Sequence, residues 1–520
     1  MILPRNLLCV LICFGSLSHS FAQSLPNILF IYADDLGYGD VACYNPESKV
    51  PTPNLDQLAN DGMLFTDAHS PSTVCTPSRY SVMTGRMAFR LNYRGVFTGV
   101  QGPCLISPGR LTLPELLQES GYETAMFGKW HIGMTFFDEA GNPVYHQQSE
   151  LDDLHGRYAS GVELVKQVDF SRPIQGGPLD HGFNHFFGTA CCPTTDWLYA
   201  YIDGDRITEI PNRVLVRADE GLPVHPYSND NRLGMLADGF DLQEVDMVFL
   251  EKSKAFLEAH VEHKPDKPFF LFHSAQAVHL PSFPGRDFQG KTDAGPHGDF
   301  IYQFDTIVGE LLGALDRLGL SDNTLVIVTS DNGPEVPTSI AMRADHNHNG
   351  SRPWRGMKRD QWEAGHRVPF IAKWPGRIEA GSQSDQTICQ TDLMATYAAI
   401  VNYELPFDAA EDSFNLLPVL MGDEAIIRPY TLHQTIRLDL AIRKGPWKYL
   451  DHVGSGGNNY DNDRMAAFRI PETAPGAPGQ LYNLKDDPGE TKNLFYENPE
   501  IVAELKSLLE ASKASGRSRL

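Results

Sequence analysis

Three short apolar runs, each emptying into a loop that carries a chemically active residue, constrain this chain more than any other feature. Asn27-Ile28-Leu29-Phe30-Ile31-Tyr32 runs into Ala33-Asp34-Asp35. Thr324-Leu325-Val326-Ile327-Val328-Thr329-Ser330 runs into Asp331-Asn332-Gly333, and Pro268-Phe269-Phe270-Leu271-Phe272-His273 leads to a loop holding His279. Uninterrupted apolar strands of this length are buried on both faces, as in parallel sheets. Helical spacing lies between them, over 54–59, 113–120 (with Pro114 in the first turn), 245–259 and 301–318. Strands alternating with helices predict an α/β fold: a doubly wound, mostly parallel sheet. In such sheets ligands bind beyond the carboxyl ends of the strands, so the three loops are expected to meet on one edge.

The pattern changes near Met421. Short strands are expected at 429–433, 440–443 and 447–450, and an amphipathic helix at 499–513, which predicts a smaller α+β subdomain over 421–520 beside a catalytic domain over 23–420. Segments 136–179 and 203–232 read as long loops rich in Pro, Gly, Asp and Asn, of the kind that shape a substrate cleft. Residues 1–22 have the form of a secretory leader: Arg5, an apolar run from Leu7 to Phe14, and a small-residue site ending at Ala22. Export to a periplasm or the outside of the cell is expected. The apolar run is too short to span a bilayer, and no later segment is long and apolar enough to do so.

A formal charge of −23 argues against nucleic acid as a partner. An anionic substrate would need a local cluster of positive charge working against that field. Of eight cysteines, Cys9 and Cys13 fall in the leader; those that remain do not read as a disulfide-stapled scaffold.

The stretch Ser72-Thr73-Val74-Cys75-Thr76-Pro77-Ser78-Arg79, followed by Met83-Thr84-Gly85-Arg86, carries the C-x-P-x-R pattern with a trailing T-G-R. Asp34-Asp35, Gly128-Lys129-Trp130-His131, Ala277-Val278-His279-Leu280-Pro281, Asp331-Asn332-Gly333, Gly356-Met357-Lys358 and the closing Leu481-Tyr482-Asn483-Leu484 through Asn493-Leu494 follow in order. With these motifs the chain, from Pro26 to about Leu494, resembles the formylglycine-dependent sulfatases of the alkaline-phosphatase superfamily, a family that includes arylsulfatases and carbohydrate sulfatases. One departure is Ala364, in Glu363-Ala364-Gly365-His366-Arg367-Val368-Pro369, where the family often has a second glycine.

The resemblance implies that a maturation enzyme converts Cys75 to formylglycine (3-oxoalanine), whose hydrated aldehyde attacks sulfur. It implies a metal site made by Asp34, Asp35, Asp331, Asn332 and the residue formed from Cys75. It places Lys129 and Lys358 at the sulfate oxygens, Arg79 beside the nucleophile, His131 as the base that regenerates the aldehyde, and His279 on the leaving-group side. An all-oxygen donor set suits a hard cation, and ligands from separated loops favour calcium over magnesium. The expected activity is hydrolysis of a sulfate ester on a carbohydrate, because the loops 191–201 and 345–354 offer hydrogen bonds and stacking to hydroxylated rings. Two other readings stay open at this point: an arylsulfatase or a phosphodiester or phosphonate hydrolase using the same nucleophile, and a secreted carbohydrate-binding protein with a dead site.

Overall fold

The computed structural model describes residues 25–144, 161–229 and 232–519. The leader expected at 1–22 lies outside the described residues, as does part of the loop expected over 136–179. A ten-stranded sheet runs through the large domain. In chain order its strands are β1 (Asn27–Ala33), β2 (Met63–Phe65), β3 (Glu123–Lys129), β4 (His185–Thr189), β5 (Ile202–Asp203), β6 (Arg206–Ile207), β7 (Phe269–Ser274), β8 (Thr324–Ser330), β9 (Phe370–Lys373) and β10 (Ser382–Ser384). They lie in the order β10-β2-β9-β8-β1-β7-β3-β4-β5-β6. The five central strands, β8-β1-β7-β3-β4, are all parallel, and antiparallel strands are added at both flanks. Every residue of β1, β3, β7 and β8 is buried, which is why their sequences show apolar runs instead of alternation.

Helices α1 (Pro53–Asp61), α2 (Cys75–Thr84), α3 (Leu113–Glu119), α4 (Val245–His263), α5 (Gly295–Arg317), α6 (Val336–His346) and α7 (Leu393–Ile400) flank the sheet, α1 with α4 and α5 in one group and α2 with α3 and α7 in another. Helix α3 starts where Pro114 and the Thr112/Glu115 pair demand it: the Thr112 hydroxyl accepts from Glu115 N, and Glu115 Oε2 accepts from Thr112 N at 2.8 Å. Helix α5 begins at Gly295, six residues before the expected start at 301. Gly295-Pro296-His297-Gly298 reads as a turn, yet proline is compatible with a first helical turn, where its missing N–H removes no bond. The segment 203–232 is not a bare loop: β5 and β6 form a hairpin about Gly204 and Asp205 that extends the sheet.

The C-terminal region opens its own four-stranded antiparallel sheet at β11 (Thr431–Gln434), followed by β12 (Leu440–Lys444), β13 (Trp447–Leu450) and β14 (Gln480–Asn483) in sequence order. Helix α8 (Pro499–Ser515) covers it, with Val502, Leu505 and Leu509 packed against Leu432, Ile442 and Leu481. Among the described residues no helix is long and apolar enough to cross a membrane, and all six described cysteines are free thiols.

Candidate active site

Strand register alone brings the expected residues together. Ala33 pairs with Ser330, so Asp34 and Asp331 leave the sheet side by side, with Asp331 N bonded to Ala33 O at 3.2 Å. On the other side of β1, Ser274 pairs with Gly128, so Lys129 and the 275–279 loop leave at the same level. Gly128 is required there: its φ is +121°, and a Cβ would sit 1.8 Å from the Ser274 carbonyl oxygen. The 275–279 loop is then tied to β1, Asp34 N donating to Ala277 O at 3.0 Å and Val278 N to Asp34 O at 2.6 Å.

Cys75 is the first residue of α2, and Arg79 lies one turn on, on the same face. Arg79 clamps the strand ends to the helix. Its Nε and Nη2 donate to Asp331 Oδ2 at 3.0 and 2.8 Å, and its Nη1 donates to the Lys129 carbonyl at 3.1 Å and to Ser274 Oγ at 2.7 Å. The guanidinium is also stacked 5.1 Å from the centre of the Tyr32 ring.

Asp34, Asp35, Asp331 and Asn332 are all buried. Asp35 holds a left-handed φ of 63°, costly for a residue with a side chain and expected where geometry serves a site. Lys129 Nζ donates to Asp34 Oδ2, Lys358 Nζ to Asp35 Oδ1 at 2.5 Å, and Asn332 Nδ2 to Asp35 Oδ1 at 2.7 Å. Three oxygens are left with no hydrogen-bond partner at all: Asp34 Oδ1, Asp35 Oδ2 and Asn332 Oδ1. Orphaned buried oxygens carry a desolvation penalty unless a cation meets them. Metal-ligating atoms of Asp34, Cys75 and Asp331, and of Asp34, Asp35 and His279, also lie within 4.8 Å of one another. Burial, reinforced by neighbouring carboxylates, pushes the Asp35 carboxyl up and that of Asp331 up to about 7. Burial opposes ionisation of Asp34 too, but Lys129, His279 and Arg79 outweigh it and hold that carboxyl low. The protein's own three cations thus offset the burial of Asp34 but not that of Asp35 or Asp331, and the donor set fits an added hard cation.

Lys129, Lys358, His131 and His279 surround Cys75. Burial opposes ionisation of the Cys75 thiol, but a hydrogen bond with Cys192 and the charges of His131, Lys129 and Lys358 draw it well below the usual thiol range. His131, also left-handed at φ 61°, is anchored through Nε2 to the Phe97 carbonyl at 2.8 Å, which leaves Nδ1 toward the thiols. His279 donates from Nδ1 to the Leu280 carbonyl at 2.5 Å, so its Nε2 faces Asp35 Oδ2 at 3.7 Å. Burial and the nearby Lys358 charge push the His279 imidazole down to about 3.

Sequence reading missed three contributors. Cys192 sits between the two histidines, its Sγ 4.0 Å from His131 Nδ1 and 3.8 Å from His279 Nε2. Asp246 accepts the backbone N–H groups of Gln276 and Ala277 at 2.7 and 3.0 Å and so holds the loop that presents His279. Ser274 takes the Arg79 bond at the end of β7. Only Ser274 carried a signal, as the residue that follows a predicted strand ending at His273.

A family model described as Sulfatase matches residues 26–403. The chain is 34% identical over 506 residues to an N-acetylgalactosamine-6-O-sulfatase of Bacteroides thetaiotaomicron, covering 94% of this chain and 93% of that protein. It is 32% identical over 500 residues to human arylsulfatase A, covering 93% and 87% of the two chains. A solved structure described under the metabolism of multiple glycosaminoglycans by Bacteroides thetaiotaomicron superposes with a TM-score of 0.78 at 29% identity, covering 95% of this chain and all of that one.

Proposed function

The chain belongs to the sulfatase family and is a sulfuric ester hydrolase, and from that premise we propose that it removes sulfate from a carbohydrate, with formylglycine made from Cys75 as nucleophile and calcium held by Asp34, Asp35, Asp331 and Asn332. The observation that carries the reading is the set of three orphaned oxygens facing a helix start that bears Cys75. A carbohydrate substrate is supported by the N-acetylgalactosamine-6-O-sulfatase relative, and an aryl ester by the arylsulfatase A relative. The near-complete overlap with the first, together with the polar and aromatic loops 191–201 and 345–354, favours the sugar. Export through the leader, and maturation by a formylglycine-generating enzyme, belong to the same proposal.

Formylglycine at position 75 would supply a hydrated aldehyde with one hydroxyl for attack on sulfur and a second for release of sulfate. Calcium, which Asp34, Asp35, Asp331 and Asn332 would hold, would supply fixed positive charge that favours ionisation of the attacking hydroxyl. The chain's own side chains do the rest. Lys129 and Lys358, held beside Asp34 and Asp35, present ammonium groups to the sulfate oxygens as charge develops. Arg79 fixes Asp331 and, through the helix, residue 75. His131 Nδ1 takes the proton from the second hydroxyl. His279 Nε2 delivers a proton to the departing sugar oxygen; burial and the Lys358 charge keep this imidazole neutral in the free enzyme, and an entering sulfate monoanion offsets the Lys358 part.

Turnover of matched sulfate and phosphate esters of one sugar and one phenol tests the assignment. The sugar sulfate should be hydrolysed with the highest kcat/KM. A phosphate diester or phosphonate turned over faster than both sulfates would overturn it.

A further inference from the structure

The site holds a second nucleophile that this chemistry does not use. Cys192 is 6% exposed, is hydrogen-bonded to Cys75, and is framed by both histidines, His279 Nε2 at 3.8 Å and His131 Nδ1 at 4.0 Å. Its loop has little freedom to withdraw. Trp130 N bonds to Thr189 O at 3.1 Å, His131 N to Ala190 O at 2.9 Å, and Gln276 Nε2 to Thr194 Oγ1 at 2.7 Å. Once residue 75 is an aldehyde, a thiol and an electrophilic carbon are held in one buried pocket, with an imidazole nitrogen on either side to move the thiol proton.

Thiols add reversibly to aldehydes, and holding the two groups in place replaces a bimolecular step by an intramolecular one, with effective molarities that reach about 10⁵ M and above for well-oriented pairs. We propose that Cys192 closes onto residue 75 as a thiohemiacetal, a reversible covalent resting form of the enzyme. The proposal rests on formylglycine at position 75. The Cys192 Sγ–Cβ75 bond forms, the carbon–oxygen π bond opens, and the thiol proton ends on the oxygen as a hydroxyl. Starting from the hydrate, one water leaves; no oxidant or reductant is involved. The adduct retains one hydroxyl where hydrolysis needs two, so it is inactive until water displaces the sulfur.

The purified, converted enzyme tests this with an aldehyde-reactive probe, methoxyamine, applied to native wild type, Cys192→Ala and Cys192→Ser. Oxime formation at position 75 should be at least about tenfold faster in both variants than in wild type. Cys192 should in turn resist iodoacetamide in native wild type and react in Cys75→Ala, a comparison that does not depend on any Cys192 variant folding. A denatured digest read by mass spectrometry separates the failures. Cysteine retained at position 75 would overturn the reading of the nucleophile, and the adduct with it. The aldehyde present at 75, with equal oxime rates in the three proteins or with equal Cys192 alkylation in wild type and Cys75→Ala, would overturn the adduct alone.

Discussion

Two buried clusters in this molecule have the same formal composition, three acids and three bases, and differ in what they leave unsatisfied. At the sheet edge, Asp34, Asp35 and Asp331 face Arg79, Lys129 and Lys358. At the seam between the large domain and the C-terminal sheet, Asp67, Glu363 and Glu490 face Arg367, Arg443 and Lys448. In the seam each carboxylate oxygen has a cation or N–H between 2.6 and 3.0 Å away, Glu490 Oε1 through an ion pair with Lys448 that lacks hydrogen-bond geometry, and His69 and His366 are chained into the same network, Nδ1 to Nδ1, at 3.0 Å. Burial penalises all three carboxylates; the arginines around Asp67 and Lys448 beside Glu363 hold those two acids well below their usual range, while burial and the neighbouring Glu363 charge push Glu490 up to about 7. The edge cluster keeps three oxygens orphaned and two carboxyls pushed up. Buried charge by itself thus does not mark a site; the convergence of several unpartnered oxygens does, three at the edge against Glu490 Oε1 alone among the seam carboxylates.

Substitutions that respect this division should separate function from stability. The largest effect is expected at the edge. Asp331→Asn keeps an acceptor for Arg79 but removes an anionic ligand, so turnover should fall below detection and bound calcium, read by atomic emission, should fall with it while the circular dichroism stays native. Wild-type turnover in that variant would erase the distinction between the clusters. Next is His279→Ala, expected to cost about 10²- to 10⁴-fold in kcat on a sugar sulfate, whose alkoxide needs a proton, and much less on a nitrophenyl sulfate, whose leaving group does not. Equal losses on both substrates would reduce His279 to a structural role.

At the seam the expectation reverses. Lys448→Met leaves Glu363 and Glu490 short of a partner and should lower unfolding stability in urea by about 3–5 kcal/mol with turnover per folded molecule unchanged. Lost turnover at unchanged stability would show that the seam serves catalysis directly. The smallest effect is a pH dependence. Burial lowers the pKa of His433, which stacks on His366 with ring centres 3.9 Å apart. Below about pH 6.5 the unfolded chain therefore takes up a proton that the folded chain refuses, and wild type loses stability as pH falls. His433→Phe keeps an aromatic ring and removes the titration. Its stability relative to wild type should rise by up to about 1.4 kcal/mol per pH unit below that point, and a difference flat with pH would contradict the assignment.

The same contrast explains what could be read from the sequence. The edge was legible because parallel core strands are continuous apolar runs, so the acids that end β1 and β8 stand out, and register does the rest. The seam was not. Asp67 meets Arg443 across 376 positions, and each reads locally as a solvated charge. Cys192 read as part of a sugar-facing loop because nothing near it in sequence reports that β4 ends beside β3 and so carries that loop to Cys75. Asp246, in the first turn of α4, looked like any acid at a helix start until its carboxylate was seen to hold the His279 loop.

In the proposed mechanism residue 75 is the nucleophile and is no longer cysteine in the working enzyme. Mass spectrometry of the denatured peptide spanning Ser72 to Arg79, taken from preparations of graded specific activity, measures it directly. The fraction of formylglycine at position 75 should rise in proportion to specific activity and approach completeness in the most active preparation. Full activity in enzyme whose position 75 is wholly cysteine would contradict it.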